Sequence, residues 1–283
     1  MSAHFSPAAI KFLRGLARNN DREWFEARKP VFEKELKAPM LAVIAEINDA
    51  LAGFAPEHVR PPQKIMMRIY RDIRFSADKR PYKTHISAWW ARQGLEKTSG
   101  GGFYFDLSAA ELKIAAGVYM PEKEQLLAIR RMLVERHAEY RVLIGAKKLT
   151  ALMEPIDAMK MTRGPKGFAA DNPAMDLVLQ RQWGVWSKLP IDVALGPALV
   201  PEVVKRFRLA APLIALLNDP LVSDPQNPCF SDHFGLVLHR RCRNGYKSPI
   251  KPAKTCGNRR KHVDKGFATV EGGMRNVSSN PHG

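Results

Sequence analysis

Between Arg68 and His85 the chain reads Arg-Ile-Tyr-Arg-Asp-Ile-Arg-Phe-Ser-Ala-Asp-Lys-Arg-Pro-Tyr-Lys-Thr-His, with six basic residues, two aspartates and one histidine. No turn, cap or amphipathic helix requires such a concentration of guanidinium and carboxylate. Arginine's planar fork suits two-point contact with phosphate or carboxylate. Arg68, Arg71, Arg74, Lys79 and Lys83 therefore form a candidate anion site, with Tyr82 as a further donor. A second reading stays open, in which Asp72 and Asp78 pair with Arg68, Arg71 or Arg74 in a structural network. Buried pairs of that kind are costly to desolvate and are weak evidence for stability. His85 ends the stretch with an intrinsic pKa near physiological pH, which makes it the candidate acid–base residue. Asp72 is a second candidate catalytic residue. No nucleophile–base–orienter set is legible from the spacing.

Arg163-Gly-Pro-Lys-Gly-Phe168 is the second anion candidate, through Arg163 and Lys166. Its glycines let a backbone approach a ligand, and a helix starting near Pro173 would offer unpaired N–H groups. The Gly-x4-Gly-Lys-Ser/Thr pattern of a P-loop is absent. If this turn folds against the Arg71–Lys83 loop, the two make one pocket. Gly100-Gly101-Gly102 lacks the strand–turn–helix context of a dinucleotide site and reads as a flexible loop. Trp89, Trp90, Trp183 and Trp186 are expected mainly in the core, with base stacking as the alternative use. Cys229, His233, His239, Cys242, Cys256 and His262 match no zinc spacing, so no metal site is expected, and no motif asks for a cofactor.

The elements that position these residues follow from periodicity and punctuation. Ser6-Pro7 opens a helix with Ile10, Leu13, Leu16 and Ala17 on one face. Asn19-Asn20-Asp21 breaks it and caps a second, with Trp24 and Phe25 as core anchors. A third apolar series runs from Val31 to Leu51, with Pro39 as an interruption and Gly53 as its end. Lys64–Tyr70 reads as a strand, residues 83–92 as strand or helix, and residues 94–102 as a loop. Phe103–Leu107 and Leu112–Met120 form an antiparallel hairpin with a four-residue connection. Pro121-Glu122 opens a long helix to about Leu143, whose Arg130, Arg131, Arg136 and Arg141 suit the helix dipole. A short helix follows Asp171-Asn172-Pro173, then an irregular or strand-like piece with Trp183 and Trp186. A last helix spans about 198–217.

The net charge of +17 over 283 residues resembles a nucleic-acid signature. Residues 223–283 nevertheless carry 11 Lys/Arg against 4 Asp/Glu, while the rest carries 34 against 24, an ordinary excess for a protein handling acidic ligands. All three cysteines lie in that last segment, which excludes a disulfide framework or thiol chemistry for the body. Neither a run of about 18 apolar residues nor a signal-peptide pattern is present, so a cytoplasmic location is expected. Residues 1–221 read as one domain. Residues 222–283, basic and rich in proline and glycine, read as a disordered tail or an out-of-frame segment.

Asn20-Asp-Arg-Glu-Trp-Phe25, residues 71–85, Gly117-Val-Tyr-Met-Pro121 and Gly164-Pro-Lys-Gly-Phe168 together resemble an uncharacterised bacterial and fungal family, domain of unknown function 2461. The resemblance covers about Phe5 to Leu221 and stops where the tail begins. It implies no activity, substrate or cofactor. The expected fold is α+β: a helical N-terminal segment, a small mainly antiparallel sheet, and C-terminal helices on one face. Three functional classes remain: binding of a phosphorylated or other anionic small molecule, with or without catalysis; nucleic-acid binding through the same basic stretch; and a structural role for the charges. No membrane partner is expected, and nothing fixes the oligomeric state.

Overall fold

A computed structural model describes residues 2–95, 100–157 and 159–222. The expected tail, with its cysteine and histidine set, lies outside the described residues from 223 on. Helices α1 (Pro7–Arg18), α2 (Arg22–Glu26), α3 (Lys29–Phe32) and α4 (Ala38–Leu51) form the N-terminal segment. Ser6 caps α1, its hydroxyl accepting from the Ala9 N–H, and Asp21 caps α2 by accepting from the Trp24 N–H at 2.8 Å. Between α3 and α4 the chain winds as a π turn over Glu33–Lys37. Pro39 follows at once and has no N–H for the usual i−4 bond, so a wider turn accommodates it without ending the helix.

After α5 (Pro62–Ile65) come β1 (His85–Ala91), β2 (Gly102–Ser108) and β3 (Glu111–Val118). Then follow α6 (Lys123–Ile144), α7 (Lys147–Thr150), β4 (Glu154–Pro155), α8 (Met175–Val178), β5 (Trp183–Pro190), α9 (Ile191–Ala194) and α10 (Leu199–Val222). The strands make one antiparallel sheet in the order β1-β2-β3-β5-β4. Ile86, Ala88 and Trp90 of β1, Phe103, Phe105 and Leu107 of β2, and Leu112, Ile114, Ala116 and Val118 of β3 are all buried. They alternate along each strand and so share one face. α4 and α10 cover that face: the Trp90 Nε1–H donates to Asn48 of α4 at 3.0 Å, and Phe207 of α10 packs on Trp90 and Phe103. α6 packs on α10. The α+β arrangement is therefore as expected.

Several local expectations are corrected. Lys64–Tyr70 is not a regular strand. It ends α5 and continues as single bridges, Met66 to Ala88 and Tyr70 to Tyr82. Between the two bridges one side advances four steps, Met66 to Tyr70, and the other six, Tyr82 to Ala88, so the ladder cannot stay in register and breaks into an irregular ribbon. The β2–β3 hairpin connection is two residues, Ala109-Ala110, and the Ser108 hydroxyl closes it by accepting from the Glu111 N–H at 3.0 Å. Gly100, Gly101 and Gly102 are buried rather than loose. Asn218 of α10 accepts from the Gly101 N–H at 2.7 Å and donates to its carbonyl at 3.0 Å, and a Cβ at Gly100 would meet that side chain. Trp90 and Trp183 are fully buried, whereas Trp89 and Trp186 are half-buried on the other face of the sheet. Arg130, expected among the α6 arginines that suit the helix dipole, is 5% exposed.

Candidate functional site on the open sheet face

The basic stretch is the tip of the irregular ribbon, where Arg71, Arg74 and Arg80 pair with the two aspartates and a net excess of positive charge remains. Both Arg74 nitrogens facing Asp72 donate to it, at 3.0 and 2.7 Å, and hold its carboxyl at about 2. Asp78 accepts from Arg80 and from Arg71, each at 2.7 Å at closest, and is held well below the usual carboxylate range, chiefly by Arg80. These pairs are exposed or half-exposed, so they are not the sealed network that the structural reading entails. The Lys79 ammonium donates to the Ile73 carbonyl at 3.1 Å. Arg68 is exposed, and its charge bears on Asp72. Tyr82 is 2% exposed, its ring stacked on Phe25 at 4.2 Å and its backbone tied to the Asn20 side chain, so it anchors the ribbon to α2. Asp72 lies with Arg74 at the tip and makes no pair with His85.

His85 sits elsewhere. As the first residue of β1 it faces away from the helices, with Ser87 and Trp89 following on the same face. β2 contributes Tyr104, opposite Trp89, and Asp106, opposite Ser87. β3 contributes Lys113, opposite Asp106, and Ala115, opposite Tyr104. Strand register thus collects an imidazole, a carboxylate, a phenol, a hydroxyl and an ammonium on one patch. Asp106 is 6% exposed, with the Lys113 ammonium at 4.0 Å. Burial raises its pKa, opposed by His85 and Lys113. Burial lowers the pKa of His85, opposed by Asp106 and reinforced by Lys83 and Lys113. The Tyr104 hydroxyl interacts with Ser87 and Asp106, and burial pushes it well above the usual phenol range. An acid shifted up beside a base shifted down narrows the gap between them, which eases proton exchange between the two groups.

Glycines shape the aromatic end of this face. Gly102, Gly117 and Gly184 stand opposite one another across β2, β3 and β5. A Cβ at Gly102 would strike the Trp89 indole at 2.7 Å, so the ring lies over that glycine. Trp186 lies two residues along from Gly184, with the Lys188 ammonium 5.5 Å from its ring. Lys188 also pairs with Glu111 at 3.0 Å.

Arg163 and Lys166 are exposed on a turn near α8, where a Cβ at Gly164 would touch the Met175 side chain. That turn belongs to the β4–β5 side, whereas the ribbon runs along β1. Four strand spacings of about 4.8 Å separate the two edges, so the turn and the ribbon do not line one pocket. Ser87, Tyr104, Asp106 and Lys113 were not singled out from the sequence. Their signal is the polar–apolar alternation in His85-Ile-Ser-Ala-Trp89 and Tyr104-Phe-Asp-Leu-Ser108, which reads equally as an ordinary solvated face. Among the described residues no helix is long and apolar enough to cross a membrane.

No curated protein matches the chain. A family model of conserved hypothetical proteins, DUF2461, matches residues 8–215, which takes in the ribbon, the sheet, the patch around His85 and most of α10. The chain belongs to this uncharacterised conserved family, DUF2461.

Proposed function

We propose that the chain binds a small anionic molecule on the open face of its sheet and exchanges a proton with it through His85. One observation carries this reading: His85 and the buried Asp106 share a patch with Lys113, and their pKa values are displaced toward each other. Lys113 supplies positive charge to the ligand, with Lys83 and the ribbon's basic excess as the wider field. The neutral imidazole takes the proton, and Asp106 offsets the charge of the imidazolium that forms. Tyr104, kept protonated, is a donor rather than a base.

A second reading rests on Trp89 and Trp186, half-buried on the same face as Lys113 and Lys188. Aromatic rings beside ammonium groups are also how single-stranded nucleic acid is held. Thermal shift of the full chain against phosphates, sugar phosphates, nucleotides, carboxylates and short oligonucleotides separates the two, since a ligand of the native state raises the transition temperature. The first reading requires a small-molecule response that His85→Gln and Lys113→Gln each abolish. A response confined to oligonucleotides, steep in salt and indifferent to His85→Gln, favours the second. No response from any anion refutes both.

A further inference from the structure

Lys113 of β3 and Lys188 of β5 stand directly opposite each other on the open sheet face. Like charges in that position repel across a strand pair. Asp106 lies 4.0 Å from the first ammonium and Glu111 3.0 Å from the second, so each charge is offset in part, by a different acid. An anion shared between the two ammonium groups would remove the repulsion that remains.

Beside this pair the sheet edge opens. β4 covers only Val185 and Trp186 of β5 and then stops. The Gly184 carbonyl accepts from the Ile156 N–H, which fixes the alternation along β5. Gly184, Trp186 and Lys188 therefore turn their backbone groups outward, away from β3. At Lys188 this N–H and C=O face the outer edge, where no strand lies opposite among the described residues. The segment after α7 stands off β5 there and leaves a cleft of about 290 Å³, whose lining includes Ala151, Leu152, Glu154, Trp186 and Lys188. Small-molecule sites span about 300–1,000 Å³, so the cleft has room for one ring system rather than for a whole ligand. Trp186 is half-buried, with the Lys188 ammonium 5.5 Å from the centre of its ring.

The chemistry of the cleft describes its occupant. The Trp186 indole is a wall on which a flat ring stacks. A backbone N–H and C=O on one edge are a donor and an acceptor side by side. They suit a ring that carries an acceptor and a donor on neighbouring atoms, as the edges of nucleobases do. Glu154, exposed on the opposite wall, keeps negative charge out of the cleft. An anionic group joined to the ring therefore lies on the sheet side, at Lys113 and Lys188. From there the ligand points toward His85, since β1 and β5 are three strand spacings apart, about 14 Å.

We propose that the ligand of the open face is a nucleoside phosphate, with its base in the cleft against Trp186 and its phosphate between Lys113 and Lys188. This inference rests on the small-anion reading and adds to it the ring and the edge of the sheet at which the ring sits.

The test is calorimetry and thermal shift of the full chain with adenosine 5′-monophosphate. Ribose 5-phosphate supplies the phosphate without a base, and adenosine the base without a phosphate. The nucleotide binds roughly tenfold or more tightly than either fragment, the scale of one stacked base. Ala151→Leu fills the cleft from an exposed position in helical backbone, and Trp186→Leu removes the stacking wall. Both bring the nucleotide down to the affinity of ribose 5-phosphate, which neither changes. Lys113→Gln weakens both phosphates. Ribose 5-phosphate binding as tightly as the nucleotide overturns the proposal and leaves the small-anion reading standing. A preference for the nucleotide that survives Ala151→Leu also overturns it, since the base would then sit elsewhere. A chain indifferent to both phosphates overturns it as well, and the carboxylates of the wider screen then decide whether the small-anion reading falls with it. Should Trp186→Leu fail to fold, Ala151→Leu decides alone.

Discussion

Replacing Asp106 with asparagine should lower the pKa of His85, and the amount can be worked from the sheet register. His85 faces Ser108 and Asp106 faces Ser87, so the two are diagonal neighbours across β1 and β2. Diagonal Cβ atoms lie about 7 Å apart. Two unit charges at that distance interact by about 2.4 kcal/mol at an effective dielectric of about 20. Half-exposure of the imidazole screens part of this, leaving a fall of about one pKa unit. Asparagine keeps the shape of the side chain and its contact with Tyr104, so the change reports charge rather than packing. Lys113→Met provides the opposite perturbation: with a repelling ammonium gone, the His85 pKa rises. Long-range ¹H–¹⁵N correlation of the imidazoles between pH 4 and 9 gives the values, with His85→Gln assigning the signal. A His85 pKa that stays put or rises in Asp106→Asn refutes the coupling, as does movement of both variants in the same direction.

Other consequences are open to simpler measurement. Asn218→Ala strips the buried Gly101 N–H and carbonyl of their partner and should cost about 2–4 kcal/mol in urea unfolding. Gly117→Ala puts a Cβ 2.8 Å from the Gly184 Cα and against the Trp183 carbonyl, backbone that cannot step aside, so its transition temperature falls sharply in calorimetry. By contrast, Arg74→Gln removes only an exposed pair with Asp72, and its transition temperature should match wild type. His58 is buried and donates Nδ1–H to the Trp90 carbonyl at 2.9 Å, with its pKa lowered mainly by burial. A folded pKa below the unfolded one gives stability that is present above about pH 6.5 and lost as pH falls through the folded value. Each such histidine adds a slope of up to about 1.4 kcal/mol per pH unit. Urea unfolding from pH 7.5 to 5 should show this slope, and His58→Asn should flatten it.

The helices were legible in the sequence because their signals are local. Ser6-Pro7 and Asp21 state where chains of hydrogen bonds begin, and the apolar period states which face is buried. The β2–β3 hairpin was legible for the same reason. The site was only half legible. His85 stood out by its chemistry, but its partners come from strands that the sequence does not order. Asp106 meets His85 only because β1 pairs with β2 in one register, and a slip of one residue would turn Asp106 into the core. The burial of Arg130 was not legible for a related reason: nothing local to α6 reveals that Met161 and Gln180 fold over it.

The contrast between the two arginine environments decides what the charges are for. At the ribbon tip, Arg71, Arg74 and Arg80 share two aspartates within a few residues of chain, exposed to water. Local, hydrated pairs of this kind are inexpensive and fix the shape of a turn, and their charge is largely spent before a ligand arrives. Arg130 is the reverse: one guanidinium, buried, with no acidic partner among the described residues. Exposed cations cost almost nothing to keep, whereas a buried guanidinium must offset its lost hydration. Urea unfolding ranks the two. Arg74→Gln removes an exposed pair and should match wild type. Arg130→Met keeps an apolar chain in place while removing the buried charge, and should be at least as stable as wild type. A marked loss of stability in Arg130→Met would mean that the bonds to Gln180 and Met161 outweigh the desolvation of the guanidinium.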